Sequence, residues 1–104
     1  MAFFQNLLRK RAAAKVDSLI FKLKDPDPEV RLASVQKMIS LGKPAVEPLI
    51  DYLRHQDKWA RLMATAALGK MKDARAIGPL ERVLDDPDEG VGFMARTALE
   101  ELRH

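Results

Sequence analysis

Residues 57–69, Asp-Lys-Trp-Ala-Arg-Leu-Met-Ala-Thr-Ala-Ala-Leu-Gly, decide the fold of this 104-residue chain. Asp57 is a favoured helix N-cap, because its carboxylate can accept the unpaired backbone N–H groups of the first helical turn. Small and apolar side chains then recur at the three- and four-residue spacing that places them on one face of a helix. They are Ala60, Met63, Ala64, Ala67, Leu68 and, beyond the stretch, Met71. The stretch therefore predicts a capped helix with one buried face.

The same register occurs twice more, at Asp27–Val30–Arg31 and at Asp88–Val91–Gly92, which lie 30 residues before and 31 residues after Asp57–Ala60–Arg61. Repetition at this period is typical of stacked helix pairs, because one such unit is too small to bury its own apolar face. We predict an all-α fold, an α-solenoid of three antiparallel helix pairs. The chain forms one domain, residues 1–104, with units at about 2–42, 43–72 and 73–104.

Each unit is expected to open with a first helix that packs against the capped second helix. In unit one this helix is predicted to run without a break from Ala2 to Lys24, with an inward face that continues backward from Val16 through Ala12, Leu8 and Phe4. The other first helices start near Ala45 and Asp73, and Leu53 and Leu84 hold matching inward positions. In the second helix of unit one the inward residues are expected to be Val30, Ala33, Ser34, Met38 and Leu41.

The aligned second helices read VRLASVQKM, ARLMATAAL and VGFMARTAL, and the later first helices share a Val/Ile-x-Pro-Leu core. This pattern resembles the PBS-lyase HEAT-like repeats, short repeats named after phycocyanobilin lyase subunits, over residues 14–102. Unit one departs from the pattern at Ser34 and Lys37, and unit three at Gly92. The resemblance implies an α-solenoid used for protein–protein contact, with the second helices lining the concave side.

Charge is distributed unevenly along the chain. The net charge is +3, yet the first 24 residues hold six basic side chains and one acidic one, so the remaining 80 residues are slightly acidic. A protein that grips nucleic acid along its whole length would spread its basic residues more widely. No apolar run is long enough to span a bilayer, and the order of residues at the N-terminus is not that of a secretory signal. With no cysteine present, we expect a cytoplasmic protein.

Residue patterns for catalysis are missing. His55 and His104 are the only histidines, and neither has a second histidine at helical spacing with which to bind a metal. The serines have no partnered base, and the glycines form no phosphate-binding loop. The acidic clusters at 25–29 and 85–89 lie at helix N-termini, where they oppose the helix dipole. We therefore predict no enzyme activity, no cofactor and no metal.

Candidate binding residues lie on the second helices. Trp59 occupies a position that is Glu29 or Gly90 in the other units, so it is either an exposed anchor or a side chain folded onto the preceding loop. Leu32, Leu62 and Phe93 form an aligned apolar column, which serves either contact between repeats or a partner. Arg31 and Arg61 are expected to bridge to the Asp-rich turn of an adjacent unit, the alternative being a ligand contact.

The N-terminal segment combines large apolar side chains with basic ones. Phe3, Phe4, Leu7 and Leu8 precede Arg9, Lys10 and Arg11. Three interpretations compete: a cap over unit one, a helix for self-association or for a partner, and a contact with a membrane surface or nucleic acid.

The function predicted from these observations is a non-enzymatic module or scaffold that binds another protein. The partner-binding candidates are Trp59, Arg61, Leu62, Arg31, Leu32 and Phe93, and the N-terminal contact candidates are Phe3, Phe4, Arg9, Lys10 and Arg11. One alternative is contact with nucleic acid through basic residues on the concave side. Another is an accessory subunit of a chromophore-lyase complex, which rests on fold-level resemblance alone. A homodimer through the N-terminal helix is a further alternative.

Overall fold

A computed structural model describes residues 2–104, and this part of the chain contains helices and no strand. The six helices are α1 (Ala2–Ile20), α2 (Pro28–Leu41), α3 (Lys43–Tyr52), α4 (Lys58–Met71), α5 (Ile77–Val83) and α6 (Glu89–Arg103). Short 3-10 segments, Phe21–Lys24 and Ala74–Ala76, extend α1 and precede α5. The predicted all-α class is confirmed. The first helix ends four residues earlier than expected and reaches Lys24 as a 3-10 turn.

Aspartate caps start all three second helices, as predicted. The Asp27 carboxylate accepts the N–H of Glu29, Asp57 accepts those of Trp59 and Ala60, and Asp88 accepts that of Val91. Pro28 opens α2, where its missing N–H leaves no helical hydrogen bond unmade. Each cap removes an unpaired donor from a helix end, so the turns before the second helices are held in one conformation.

The helices form two layers. The first helices α1 and α3 pack side by side, α3 also contacts the turn that precedes α5, and α4 lies between α2 and α6 in the second layer. Alanine and glycine allow α4 and α6 to approach closely. A Cβ atom added at Gly69 would lie 2.8 Å from the Cβ of Ala98. This contact agrees with the expectation that small residues let neighbouring second helices stack.

Outside α1, two residues predicted to face inward, Ala33 and Leu84, are exposed. On α2, Ala33 is exposed and Val35 is buried. The residue that matches Val35 is Thr65 in unit two, which is buried, and Arg96 in unit three, which is exposed. The register position of Val35 is thus buried in units one and two, each of which is followed by another unit, and exposed in unit three. We infer that Val35 faces unit two and that Ala33 lies on the opposite side of α2, where the chain places no preceding second helix.

Leu84 is the other inward residue that the structure corrects. Helix α5 ends at Val83, which is buried, whereas Leu84 follows in the turn and is exposed. Leu53, the matching residue of unit two, is buried as expected. Both leucines are the C-cap residues that directly follow their helices, so the helix end is the same in the two units, and in unit three the preceding residue, Val83, is buried in place of the leucine.

A candidate interaction surface on the second helices

The turns before the second helices share one side-chain hydrogen bond. Asp25 Oδ1 accepts the backbone N–H of Asp27 at 2.9 Å, and Asp86 Oδ1 accepts that of Asp88 at 2.9 Å. In unit two the matching residue is His55, whose Nδ1 accepts the N–H of Asp57 at 3.0 Å. The imidazole therefore takes over the turn-forming role of aspartate but supplies no carboxylate.

The two arginines of the repeat register are anchored in the same way. Nη1 of Arg31 donates to the carbonyls of Asp25 and Pro26 at 2.7 and 3.1 Å. Nη1 of Arg61 donates to those of His55 and Gln56, both at 2.9 Å. Each guanidinium thus satisfies two carbonyls of the turn that leads into its own helix, which fixes the side chain against the start of that helix.

Arg61 also joins two units, as predicted. Its Nε and Nη2 donate to Asp86 Oδ2 and Oδ1 at 2.8 and 3.1 Å, in the bidentate arrangement that suits a guanidinium and a carboxylate. The Asp86 side chain is only 7 % exposed. Asp86 therefore serves both its own turn and the arginine of the preceding unit.

The corresponding bridge predicted for Arg31 is wrong. Among residues 2–104, no carboxylate pairs with Arg31, because the register position that Asp86 holds for Arg61 is His55 for Arg31. The ring of Trp59 covers the guanidinium instead, with Cζ 4.0 Å from the ring centroid. The contact is a cation–π interaction between unit one and unit two. The register contained this signal, since His55 falls where the other units have aspartate.

Gly92 replaces arginine in unit three at a position where there is little room for a side chain. A Cβ at Gly92 would lie 3.1 Å from the carbonyl oxygen of Leu84, closer than a Cβ normally comes to another atom. Glycine therefore lets α6 pack against the end of the α5 turn.

The apolar column predicted on the second helices is exposed at its two ends. Leu32 is 59 % exposed on α2 and Phe93 is 64 % exposed on α6, while Leu62 lies half-buried on α4 between them. Trp59 is 37 % exposed on the same helix, one turn before Leu62. We call Leu32, Trp59, Leu62 and Phe93 the second-helix strip. At helix spacings of about 8–10 Å, it crosses roughly 20 Å of surface.

The N-terminal segment leaves its aromatic side chains uncovered. Phe3 is 81 % and Phe4 62 % exposed, and Leu8 is also exposed, so of the three interpretations the cap over unit one is not made by these side chains. The reason is geometric. Each four-residue step from Ala12 back to Leu8 and Phe4 rotates about 40° around an α-helix. From the buried Val16, Leu8 is therefore rotated by roughly 80°, Phe4 by roughly 120° and Phe3 by roughly 140° around the helix.

Basic residues surround the helix directly after this apolar tip. Arg9, Lys10, Arg11 and Lys15 are all exposed, and no acidic residue precedes Asp17. The segment thus presents an apolar end followed by a positively charged collar. The N-terminal contact candidates lie on α1, in the layer of first helices, whereas the second-helix strip lies on α2, α4 and α6. The chain therefore has two separate candidate surfaces.

Asp73 and Tyr52 are ionisable groups with shifted pKa values. The Asp73 carboxylate accepts the side-chain and backbone N–H groups of Arg75, and these hydrogen bonds lower its pKa to about 2. Burial, and then the nearby charge of Asp57, raise the pKa of Tyr52. Within the described residues, no group of three or more histidine, aspartate or glutamate side chains could hold a metal ion. None of the helices there is both long and apolar enough to cross a membrane.

Comparison with known proteins gives a family but no individual relative. A search of curated proteins finds no match. The family model described as HEAT repeats matches residues 16–100, which include α2 to α5, most of α6 and the last turn of α1. Two layers of antiparallel helices in repeated register agree with that match, and the chain belongs to the HEAT-repeat family.

Proposed function

We propose that this protein is a non-enzymatic HEAT-repeat module that binds another protein through the second-helix strip. HEAT repeats generally act as scaffolds for protein interaction. The observation that carries the proposal is the exposure of Leu32 on α2 and Phe93 on α6, with Trp59 and Leu62 on α4, the helix between them. Contiguous apolar side chains on a surface mark interaction sites, and tryptophan is enriched among residues that contribute most to binding.

Charged groups near the strip favour a protein over nucleic acid. Arg61 is held by Asp86, and the exposed lysines Lys58 and Lys70 lie 4.0 and 3.1 Å from the carboxylates of Asp88 and Glu101. Acidic neighbours thus offset these three basic side chains of α4. Binding to a phosphate backbone would need unpaired positive charge and would weaken steeply with salt. The role of a lyase subunit has no residue that supports it, and a cytoplasmic location follows only from composition.

The double variant Leu32→Ser/Phe93→Ser tests the strip. Both side chains are more than half exposed, so the free energy of unfolding should change by less than about 0.5 kcal/mol per site. Affinity purification from a lysate of the source organism, followed by mass spectrometry, should show loss of the proteins captured by the wild type. Phe21→Ser is the matched control, because Phe21 is similarly exposed but lies at the end of α1. Equal capture by the double variant would contradict the proposal.

Trp59→Ala separates an anchor from a core residue. The ring is over one-third exposed and makes a cation–π contact with the guanidinium of Arg31, so its loss should cost about 1 kcal/mol of stability. Capture of the partner should fall clearly more than with Phe21→Ser. A loss of several kcal/mol in unfolding experiments would show that Trp59 serves the core and would remove it from the strip.

A second contact is proposed for the N-terminal segment, with an anionic lipid surface. Its four large apolar side chains would enter the interface, and the basic collar would lie at the level of the phosphates. A homodimer through this segment is less favoured, because two copies would bring together collars of four basic residues with no acidic residue to offset them. Nucleic acid would use the collar and leave Phe3 and Phe4 uncovered.

A further inference from the structure

Arg31 and Arg61 differ at one edge of the guanidinium. Both anchor Nη1 to two carbonyls of the preceding turn. Nε and Nη2 of Arg61 then hold the Asp86 carboxylate. Within residues 2–104, no acceptor takes the corresponding protons of Arg31. The repeat therefore contains one filled carboxylate site and one that lacks its carboxylate.

The environment of Arg31 favours an anion. The residue is only 8 % exposed, and arginine stays charged at any ordinary pH. A guanidinium largely removed from water is stabilised most by a carboxylate that accepts two parallel hydrogen bonds. The Trp59 ring covers one face of the group and leaves the Nε–Nη2 edge to bind an anion.

The second-helix strip adjoins this site. Leu32 follows Arg31 directly on α2 and is exposed, while Trp59 belongs to the strip and contacts the arginine. A partner that lays an apolar side chain on Leu32 would bring its neighbouring residues close to the unpaired guanidinium edge. Arginine and tryptophan together are the residue types most enriched where interfaces have their largest energies.

We propose that Arg31 binds an aspartate or glutamate side chain of the protein partner, in the bidentate arrangement that Asp86 makes with Arg61. The inference rests on the proposed function for the source of the carboxylate, and on the internal comparison of the two units for the site itself. The partner segment is accordingly an acidic one with an apolar residue beside its carboxylate. Arg61 is excluded from the same role because Asp86 already occupies it.

Acetate serves as the probe for the site. Sodium acetate is titrated into the full chain against sodium chloride at equal ionic strength, and the Nε–H resonances of the arginines are followed by NMR. The Arg31 resonance should shift saturably in the millimolar range, whereas that of Arg61 should hardly move, because Asp86 fills its site. Equal, non-saturating shifts of both resonances would overturn the proposal.

Substitutions at His55 provide the matched pair. His55→Asp restores the residue of the other two turns, so its carboxylate should occupy Arg31 and weaken acetate binding by about tenfold or more, equivalent to about 1.4 kcal/mol. His55→Asn keeps a side-chain acceptor for the Asp57 N–H and adds no charge, so its acetate response should match the wild type. An unaltered acetate response in the aspartate variant would also overturn the proposal.

The two proposals fail separately. Saturable binding at Arg31 supports the carboxylate site even if Leu32→Ser/Phe93→Ser captures the same proteins as the wild type. Loss of capture in that double variant, without any saturable shift at Arg31, supports the strip and removes Arg31 from it.

Discussion

The guanidinium of Arg61 and the carboxylate of Asp86 join units two and three through two hydrogen bonds of 2.8 and 3.1 Å. Their side chains are 15 % and 7 % exposed, so the pair is largely shielded from water. Removal of one member leaves the other charge buried without compensation, which is more costly than loss of an exposed ion pair.

Arg61→Met is therefore expected to lower the free energy of unfolding by about 3 kcal/mol in urea titrations. The substitution keeps much of the aliphatic side chain but leaves Asp86 without its partner. Lys58→Met is the control, because the Lys58–Asp88 pair is exposed and 4.0 Å long, and its loss should cost about 0.5 kcal/mol or less. Similar values for both variants would show that the Arg61 bridge contributes little.

Gly69 and Gly78 offer a second matched comparison. A methyl group at Gly69 would meet Ala98 at 2.8 Å, so Gly69→Ala should push α4 and α6 apart and cost about 1–3 kcal/mol. A methyl group at Gly78 meets no atom within 4 Å, and Gly78→Ala should stabilise α5 by about 0.4–1 kcal/mol. Thermal unfolding measures both. If the Gly69→Ala protein were as stable as the wild type, α4 and α6 could move apart without lowering the free energy of unfolding, which would contradict this prediction.

Asp73 predicts a component of acid sensitivity. Hydrogen bonds from Arg75 lower the Asp73 pKa from 3.8 to about 2 in the folded chain. Because the folded pKa is the lower one, this stabilisation is complete above pH 4 and is lost as the pH falls from about 4 towards 2. The difference in unfolding free energy between the wild type and Asp73→Asn should shrink over that range. A difference independent of pH would contradict the assignment, and NMR titration of the carboxyl group gives a direct check.

Vesicles test the N-terminal segment. The chain should sediment with vesicles that contain about one-third phosphatidylserine and much less with neutral phosphatidylcholine, since both apolar insertion and surface charge contribute. Phe3→Ser/Phe4→Ser should abolish the binding without loss of stability, because both side chains are exposed. Phe21→Ser is again the control. Absence of binding at low salt, together with a dimer in light scattering that the double variant loses, would favour self-association instead.

The sequence alone predicted the helix pairs and their caps because these depend on local chemistry. Asp27, Asp57 and Asp88 each precede a helix start, and apolar spacing identifies most of the buried side chains. Ala33 was assigned to the buried side of α2 but is exposed, since a helical pattern gives a face but not which neighbour the face meets. That information comes from the position of a unit within the array.

The sequence predicted which residues belong to the candidate site but not which side chains Arg31 and Arg61 contact. Arg31 and Arg61 occupy equal positions in the register, so equal partners were the natural expectation. The partner of each arginine depends on a residue in the next turn, His55 for Arg31 and Asp86 for Arg61, which lies 24 and 25 positions further along the chain. The N-terminal face was misjudged for another reason, because successive four-residue steps accumulate rotation that a short apolar pattern does not reveal.

Arg61 binds a carboxylate of the following unit, so the contacts between units have a direction along the chain. This direction has a consequence for the design of longer arrays. Tandem copies of unit two would place His55 at every junction, so each arginine would meet an imidazole where this chain has Asp86. The same copies with aspartate at that position would gain one bidentate pair per junction. The cohesion of such a polymer, and the length to which it stays folded, would then be adjustable through a single side chain in the turn.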